Sequence, residues 1–254
     1  MTQIQTKILV NFIFAVLSST AILGCAAKGF NRGELKEQAN ITNPLANAAA
    51  KPTDNNKDLQ EAYKKIANIP KPFKLAVYFK PPKIHYGQVQ WQWTEKDRAI
   101  LDDIGKELKS EGLVSEVLPI TQSMVTDEGL KPVRLVATQH QADALLIISG
   151  GAQIDRYFNG WGWSYILLLP TLFIPGSTVD TVFLASATLW DVKNASLYFT
   201  AEVESTSSGT YPALVGKHNK ELIDDVKVQA LTDLKIDLKK TIKGTKTETK
   251  HSSL

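Results

Sequence analysis

Apolar and polar positions change in blocks along residues 73–242, and each block predicts a strand or a helix. Short apolar runs bounded by glycine or proline are typical of strands, whereas apolar residues three or four positions apart are typical of helices. These patterns predict the order strand, helix, strand, helix, strand at residues 75–79, 94–110, 114–120, 131–140 and 144–149. The third of these strands is apolar up to Ser149, which favours burial on both faces.

Single residues mark the ends of several elements. Thr94 is a favourable N-cap for the first helix, and Gly112 favours its end. The second helix directs Val133 and Val136 toward the core, with His140 as a further candidate. The pair 150–151, two glycines after the third strand, is interpreted as a loop because no helix follows it to supply an anion-binding terminus.

The last third of the chain predicts an antiparallel meander and a closing helix. Strands over 178–190 and 196–204 flank a turn at 191–195, in which Asp191 is expected to cap the backbone. A helix over 215–242 carries one apolar stripe, and residues 243–254 are polar and predicted to be disordered. The predicted fold class is α/β, with a single mixed β-sheet (βαβαβ followed by an antiparallel meander), helices packed on it and a long C-terminal helix.

The N-terminus has the layout of a bacterial lipoprotein signal. Lys7 precedes an apolar run over about 8–22, and Cys25, the only cysteine, closes the box Ile22-Leu23-Gly24-Cys25. This box resembles the lipoprotein consensus, in which the thiol accepts a diacylglycerol and the preceding residues are cleaved. The run is shorter than the ~20 apolar residues of a comfortable membrane span, which favours this interpretation over a transmembrane helix or a plain secretory signal. We therefore expect removal of residues 1–24 and two or three acyl chains, such as palmitate, on Cys25.

The segments after the cysteine predict where the protein resides. Ala26, rather than Asp, favours the outer membrane over the inner one, with the domain facing the periplasm. Residues 25–56 lack an apolar period and are interpreted as a lipidated flexible tether, whose reach would be about 30 Å. Residues 57–72 predict a short helix and a linker that ends at Pro70 and Pro72.

Composition and charge exclude some partners. The formal net charge of +3 falls to +2 when the signal is removed, so the sequence gives no indication of nucleic-acid binding. With Cys25 acylated, no thiol is left for a disulfide, and no cofactor is expected other than the covalent lipid. The four histidines (His85, His140, His218 and His251) are scattered, so no metal site is expected. Motifs of hydrolases, metalloproteases and phosphate-binding loops are absent from the sequence, which favours a protein that is not an enzyme.

Residues 157–176 form a segment unusually rich in aromatic and aliphatic residues, and it is the strongest candidate for a functional site in the sequence. One interpretation is an interior strand over 163–169, because short apolar runs between glycine and proline usually are strands. The other is an exposed loop that touches a partner, a second copy or the membrane, since tryptophan and tyrosine prefer interfaces with one wet side. The candidate contact residues in this segment and in a second aromatic cluster are Tyr157, Phe158, Trp161, Trp163, Tyr165, Trp91 and Trp93.

Four segments carry a resemblance to known lipoproteins. They are residues 141–147 (QADALLI), 174–176 (IPG), 187–192 (ATLWDV) and 197–199 (LYF). These segments resemble the rhombotarget lipoprotein family. The order of elements is also similar to the N-terminal domain of the Tol-Pal propeller protein, to the curli secretion lipoprotein and to lipoprotein activators of penicillin-binding proteins. The resemblance covers residues 73–242 and implies the architecture of a periplasmic lipoprotein.

These observations lead to one functional expectation and two alternatives. We expect a lipid-anchored envelope protein that acts as a non-catalytic adaptor in a cell-envelope assembly, transport or cell-wall machine. Its partners would be the membrane, through the lipid, and an envelope protein or a second copy of the chain. The first alternative is a binding module for a small apolar or lipid ligand, with residues 157–176 lining the pocket. The second alternative is a hydrolase.

Overall fold

The computed structural model describes residues 29–39, 69–83, 87–126, 129–162, 164, 173–212 and 217–244. Along this part of the chain lie α1 (Arg32–Gln38), β1 (Phe73–Phe79), α2 (Glu95–Ser110), β2 (Val114–Ile120), a 3-10 turn (Gln122–Met124), α3 (Leu130–Gln139), β3 (Ala144–Phe158), β4 (Ser177–Asp191), β5 (Leu197–Tyr211) and α4 (Asn219–Gly244). The signal segment and most of the helix expected over 57–72 lie outside the described residues, as do residues 245–254 of the expected tail.

The five strands form one mixed sheet in the order β2-β1-β3-β4-β5. β1 pairs parallel with β2 and with β3, whereas β3–β4 and β4–β5 are antiparallel. Helices α2 and α3 form the two parallel crossovers. This arrangement confirms the predicted fold class, including the meander and the long C-terminal helix.

α2 and α4 cover one face of the sheet. The apolar stripe of α4 is fully buried against the odd-numbered residues of β4, with Ile223, Val226, Ala230, Leu234 and Leu238 each at most 2% exposed. Thr94 caps α2 as expected, and Asp97 returns the bond by accepting from the Thr94 backbone N–H, which completes a capping box. Ion pairs from Lys235 and Lys239 to Glu107 join α4 to α2.

α3 and α1 cover parts of the opposite face. Val133 and Val136 of α3 pack on Ile147 and Trp190, as the sequence indicates, but His140 follows the helix and is exposed. The prediction that His140 is a further core residue is therefore wrong, because α3 ends at Gln139. β3 lies third in the sheet, between β1 and β4, and Ile147 is 5% exposed. Burial of this strand on both faces is confirmed.

The three C-terminal strands are longer than their apolar runs indicate. Each has 15 residues, and β3 continues through Gly150 and Gly151 to Phe158. The interpretation of this pair as a loop is wrong, because close packing on both faces of the sheet requires glycine here. A Cβ at position 150 would lie 2.6 Å from the Phe183 ring, and one at position 151 would lie 2.6 Å from the carbonyl oxygen of Leu35.

Residues 29–39 are folded against the sheet, so the prediction of a flexible tether over 25–56 is wrong for these residues. Asn31 caps the seven-residue helix α1 by accepting from the Glu34 backbone N–H. Leu35, 1% exposed, packs on Val182 and Leu184 of β4. Polar composition hides this helix in the sequence, since one leucine and the short side chain of Ala39 make most of its apolar contact. Residues 26–28 and 40–56 of the expected tether lie outside the described residues.

α1 and Ala39 also supply hydrogen-bond partners to a part of β3 that has no neighbouring strand on one side. β1 ends at its pairing with Ile148, so the next residues of β3 lack a strand neighbour on that side within the described part of the chain. The Gln38 side-chain oxygen accepts from the Ala152 backbone N–H at 2.9 Å, and the Ser149 hydroxyl donates to the Ala39 carbonyl at 2.7 Å. These buried hydrogen bonds fix α1 at one position on the sheet.

Candidate functional site

Three large aromatic side chains are exposed at the far end of the β3–β4 pair. Phe158 is 52% exposed, Trp161 63% and Phe173 78%. We call these three residues the aromatic tip. They are three of the eight large apolar side chains exposed among the described residues, and the other five are spread over α3, α4, β5 and the 3-10 turn. Such clustering is typical of contact surfaces, whereas single exposed apolar residues are ordinary.

The backbone of the aromatic tip is held by an Asx turn. The Asn159 side-chain oxygen accepts from the Trp161 backbone N–H at 2.9 Å, and its amide donates to the Pro175 carbonyl at 2.8 Å. Asn159 therefore joins the chain leaving β3 to the chain entering β4. Trp161 is exposed on an ordered turn, so a partner would not have to order the backbone that carries it.

Tyr157 lies just inside the aromatic tip and has a structural role. Its side chain is half-buried, and the hydroxyl donates to a carboxylate oxygen of Asp180 on β4 at 3.0 Å. This hydrogen bond raises the pKa of Tyr157 above its ordinary value, because it stabilises the protonated phenol. Trp163 and Tyr165, two other candidate contact residues, lie outside the described residues. So does the strand expected over 163–169 except for Ser164, whose backbone N–H donates to the Trp161 carbonyl in a turn.

The second aromatic cluster belongs to the core, which corrects its interpretation as a contact surface. Trp91 is 7% exposed and meets Phe183 edge to face, with ring centroids 4.9 Å apart. Trp93 is half-buried against Phe79, and its indole N–H donates to the Lys80 carbonyl at 2.7 Å. Residues 87–93, which carry these tryptophans, form neither helix nor strand, and the two indole rings point inward to close one end of the core.

The chain that follows Cys25 reaches the sheet beside the aromatic tip. Cys25 itself lies outside the described residues. Gly29 donates its backbone N–H to Asp155 at 3.2 Å, and Asn31 donates to the Gln153 side-chain oxygen at 2.9 Å. Arg32 then forms a two-pronged pair with Glu204 of β5, at 3.2 and 2.9 Å. Four peptide steps separate Cys25 from Gly29.

Two open grooves lie elsewhere on the described surface. One, of about 440 Å³, runs between α1 and the exposed face of β4 and β5, and its walls include Lys36, Glu37, Ser186 and Glu202. The other, of about 750 Å³, lies between residues 87–92 and the start of α4. Neither groove is lined by described residues of the 157–176 segment, and the walls of the first combine charged residues with apolar ones such as Leu184 and Trp190.

A buried ion pair lies beneath the second groove. Lys227 of α4 is fully buried, and its ammonium group contacts Asp97 at 2.9 Å, Asp224 at 2.8 Å and the Gln92 carbonyl at 3.0 Å. Asp97 at the same time accepts from the backbone of Thr94. The contacts with Asp97 and with the Gln92 carbonyl join α4 to α2 and to the segment before it, whereas Asp224 lies on α4 itself. The arrangement is that of a structural clamp.

No group of three or more His, Cys, Asp or Glu side chains among the described residues is placed to hold a metal ion. Within the same residues, no helix has the length and apolar character needed to cross a membrane.

Comparisons with known proteins give weak structural likenesses. No family model matches the chain, and no curated protein matches it. The structure is similar to a minor lipoprotein from Acinetobacter baumannii, with a TM-score of 0.34, 10% identity, and coverage of 69% of this chain and 93% of that one. For lipoprotein GNA1162 from Neisseria meningitidis the TM-score is 0.31 at 12% identity, with 66% and 97% covered. For a PelC dodecamer from Paraburkholderia phytofirmans the TM-score is 0.27 at 14% identity, and the match covers 66% of this chain and 88% of that one.

Several of the similar structures are thus bacterial lipoproteins. At TM-scores and identities this low, the likeness carries no argument about what this chain does. The finer resemblance to rhombotarget lipoproteins stays a prediction.

Proposed function

We propose that this protein is a lipid-anchored, non-catalytic interaction domain of the bacterial cell envelope, facing the periplasm from the outer membrane. The lipoprotein signal ending at Cys25 supports the anchor and the compartment. The free outer edge of β5 supports the interaction role. The rhombotarget-type resemblance fits the same kind of protein.

The two edge strands of the sheet differ in a way that favours β5 as the binding edge. β2 has seven residues and carries Pro119, which has no N–H to offer another strand. β5 has 15 residues without proline, lysine or arginine, the residues that commonly protect an exposed edge. No other strand among the described residues pairs with its outer side. β5 is therefore suited to accept an extended segment of a partner by strand addition.

Charge decides which kind of segment fits. Glu204 is already paired with Arg32, which leaves Glu202 as the charge that decides. If two copies of β5 paired antiparallel about Glu202, this carboxylate would face its own symmetry mate, and like charges directly opposite each other are destabilising. A foreign strand that carries a basic residue opposite Glu202 avoids this repulsion. We propose an extended segment of another envelope protein, with a basic residue at that position, as the occupant of the edge.

Photocrosslinking in intact cells tests this function. A photoreactive amino acid replaces exposed Ser207 on β5, and the matched control replaces exposed Ser115 on β2. We expect an adduct with one envelope protein from position 207 only. Glu202→Lys should reduce this adduct several-fold, whereas Glu221→Lys on α4 should leave it unchanged. Equal adducts at both positions, an adduct only with a second copy, or no effect of Glu202→Lys would contradict the proposed partner.

A further inference from the structure

The aromatic tip and the point where the lipid anchor joins the domain lie at the same end of the molecule. Gly29 is hydrogen-bonded to Asp155, and Asp155 is three residues before Phe158 on β3. At ~3.3 Å per residue, Phe158 lies about 10 Å farther along the strand than Asp155. The four peptide steps from Cys25 to Gly29 span at most about 14 Å when fully extended.

These two lengths limit how far the domain can stand from the membrane. With acyl chains on Cys25, Gly29 lies within about 14 Å of the lipid head groups, roughly half the reach of the tether expected from the sequence. Residues 29–39 cannot lengthen the connection to the membrane while Leu35 is buried and Arg32 and Asn31 are bound to the sheet. The end of β3 therefore faces the bilayer. The greatest distance from the head groups to Gly29, about 14 Å, is comparable with the roughly 10 Å by which Phe158 extends beyond Asp155.

The chemistry of the aromatic tip fits that surface. Tryptophan is favoured at the boundary between head groups and acyl chains, and phenylalanine is one of the apolar residues that interfacial segments bury there. Charges next to the tip on β3 and β4 have both signs, since Arg156 lies beside Asp155, which pairs in register with Asp180. Electrostatic attraction to anionic lipids is thus not the main source of affinity, and burial of the exposed rings is.

We infer that the aromatic tip, Phe158, Trp161 and Phe173, inserts into the bilayer interface to which Cys25 is anchored and so fixes the orientation of the domain. This inference rests on the lipid anchor of the proposed function. The membrane is the occupant because the anchor brings it within reach of the tip in every copy of the protein. A protein partner at the tip would have to compete with that surface.

Depth-dependent quenching tests the inference on the full-length acylated protein. Because Cys25 is consumed by lipid, a second cysteine gives one labelling site for a polarity-sensitive fluorophore. Trp161→Cys and Phe173→Cys place the label in the tip, and Leu135→Cys on α3 and Ile236→Cys on α4 are controls of similar exposure, 60% and 63%. The proteins are reconstituted in vesicles of phosphatidylethanolamine with a minor fraction of phosphatidylglycerol and acyl-chain spin-labelled lipid.

We expect several-fold stronger quenching and a blue-shifted emission at both tip positions, with little change at high salt. Equal quenching at tip and control positions in a protein whose Cys25 is acylated by intact mass would overturn the inference and leave the anchor standing. A blue shift without lipid quenching would mean that protein covers the tip, which also contradicts the inference. An unmodified Cys25 would contradict the proposed anchor and, with it, the orientation.

Discussion

Tryptophan side chains occupy two opposite environments in this protein. Trp91 is packed edge to face on Phe183 and contributes to the main core, whereas Trp161 is 63% exposed on a turn held by Asn159. Both lie in segments rich in aromatic and polar residues, so local pattern alone does not separate them. The difference arises from the surroundings that the fold supplies, namely Phe183 of β4 in the same core for Trp91 and solvent for Trp161.

This contrast predicts different costs for the same substitution. Trp91→Ala should lower the free energy of unfolding by about 3–5 kcal/mol, because it leaves a large cavity beside Phe183. Trp161→Ala should change it by no more than about 0.5 kcal/mol, as for other exposed sites. Urea unfolding of the two variants measures both values. A loss of several kcal/mol in Trp161→Ala would place this residue in the core and remove it from the aromatic tip.

At the scale of elements, apolar periodicity predicts most of the fold. The span of β2 and the cap of α2 follow from the sequence, as does the apolar stripe of α4. Two features do not follow from it. β3 passes through two glycines that disfavour strands in general but are required by close packing here, and α1 is too short and polar to show an apolar period. Both depend on tertiary contacts that β3 makes with β4 at Gly150 and with α1 at Gly151, which no local pattern encodes.

The docking of α1 can be tested with a matched pair of leucines. Leu35→Ala should destabilise the protein by about 2–5 kcal/mol, because this side chain is 1% exposed against Val182 and Leu184. Leu135→Ala on α3 is the control, since its side chain is 60% exposed and little change is expected. Thermal and urea unfolding measure the difference. Equal stability of the two variants would mean that residues 29–39 form a tether after all.

At the scale of the whole molecule, anchor, tip and sheet edge define one arrangement. With the aromatic tip at the bilayer, the antiparallel strands β3, β4 and β5 extend away from the membrane. The outer edge of β5, about 50 Å long at ~3.3 Å per residue, then faces sideways along the periplasmic space. A partner segment that pairs with this edge would run parallel to β5, away from the membrane surface. The proposed binding edge and the inferred orientation are therefore compatible.

The arrangement depends on the acylation of Cys25, which the mass of the protein purified from membranes measures directly. The account predicts a mature chain that begins at residue 25 and carries a diacylglycerol with or without an N-terminal acyl group, while Cys25→Ser stays as an unacylated precursor or leaves the lipid fraction. A membrane-bound chain that keeps residues 1–24, or one with a free thiol at Cys25, would contradict the account.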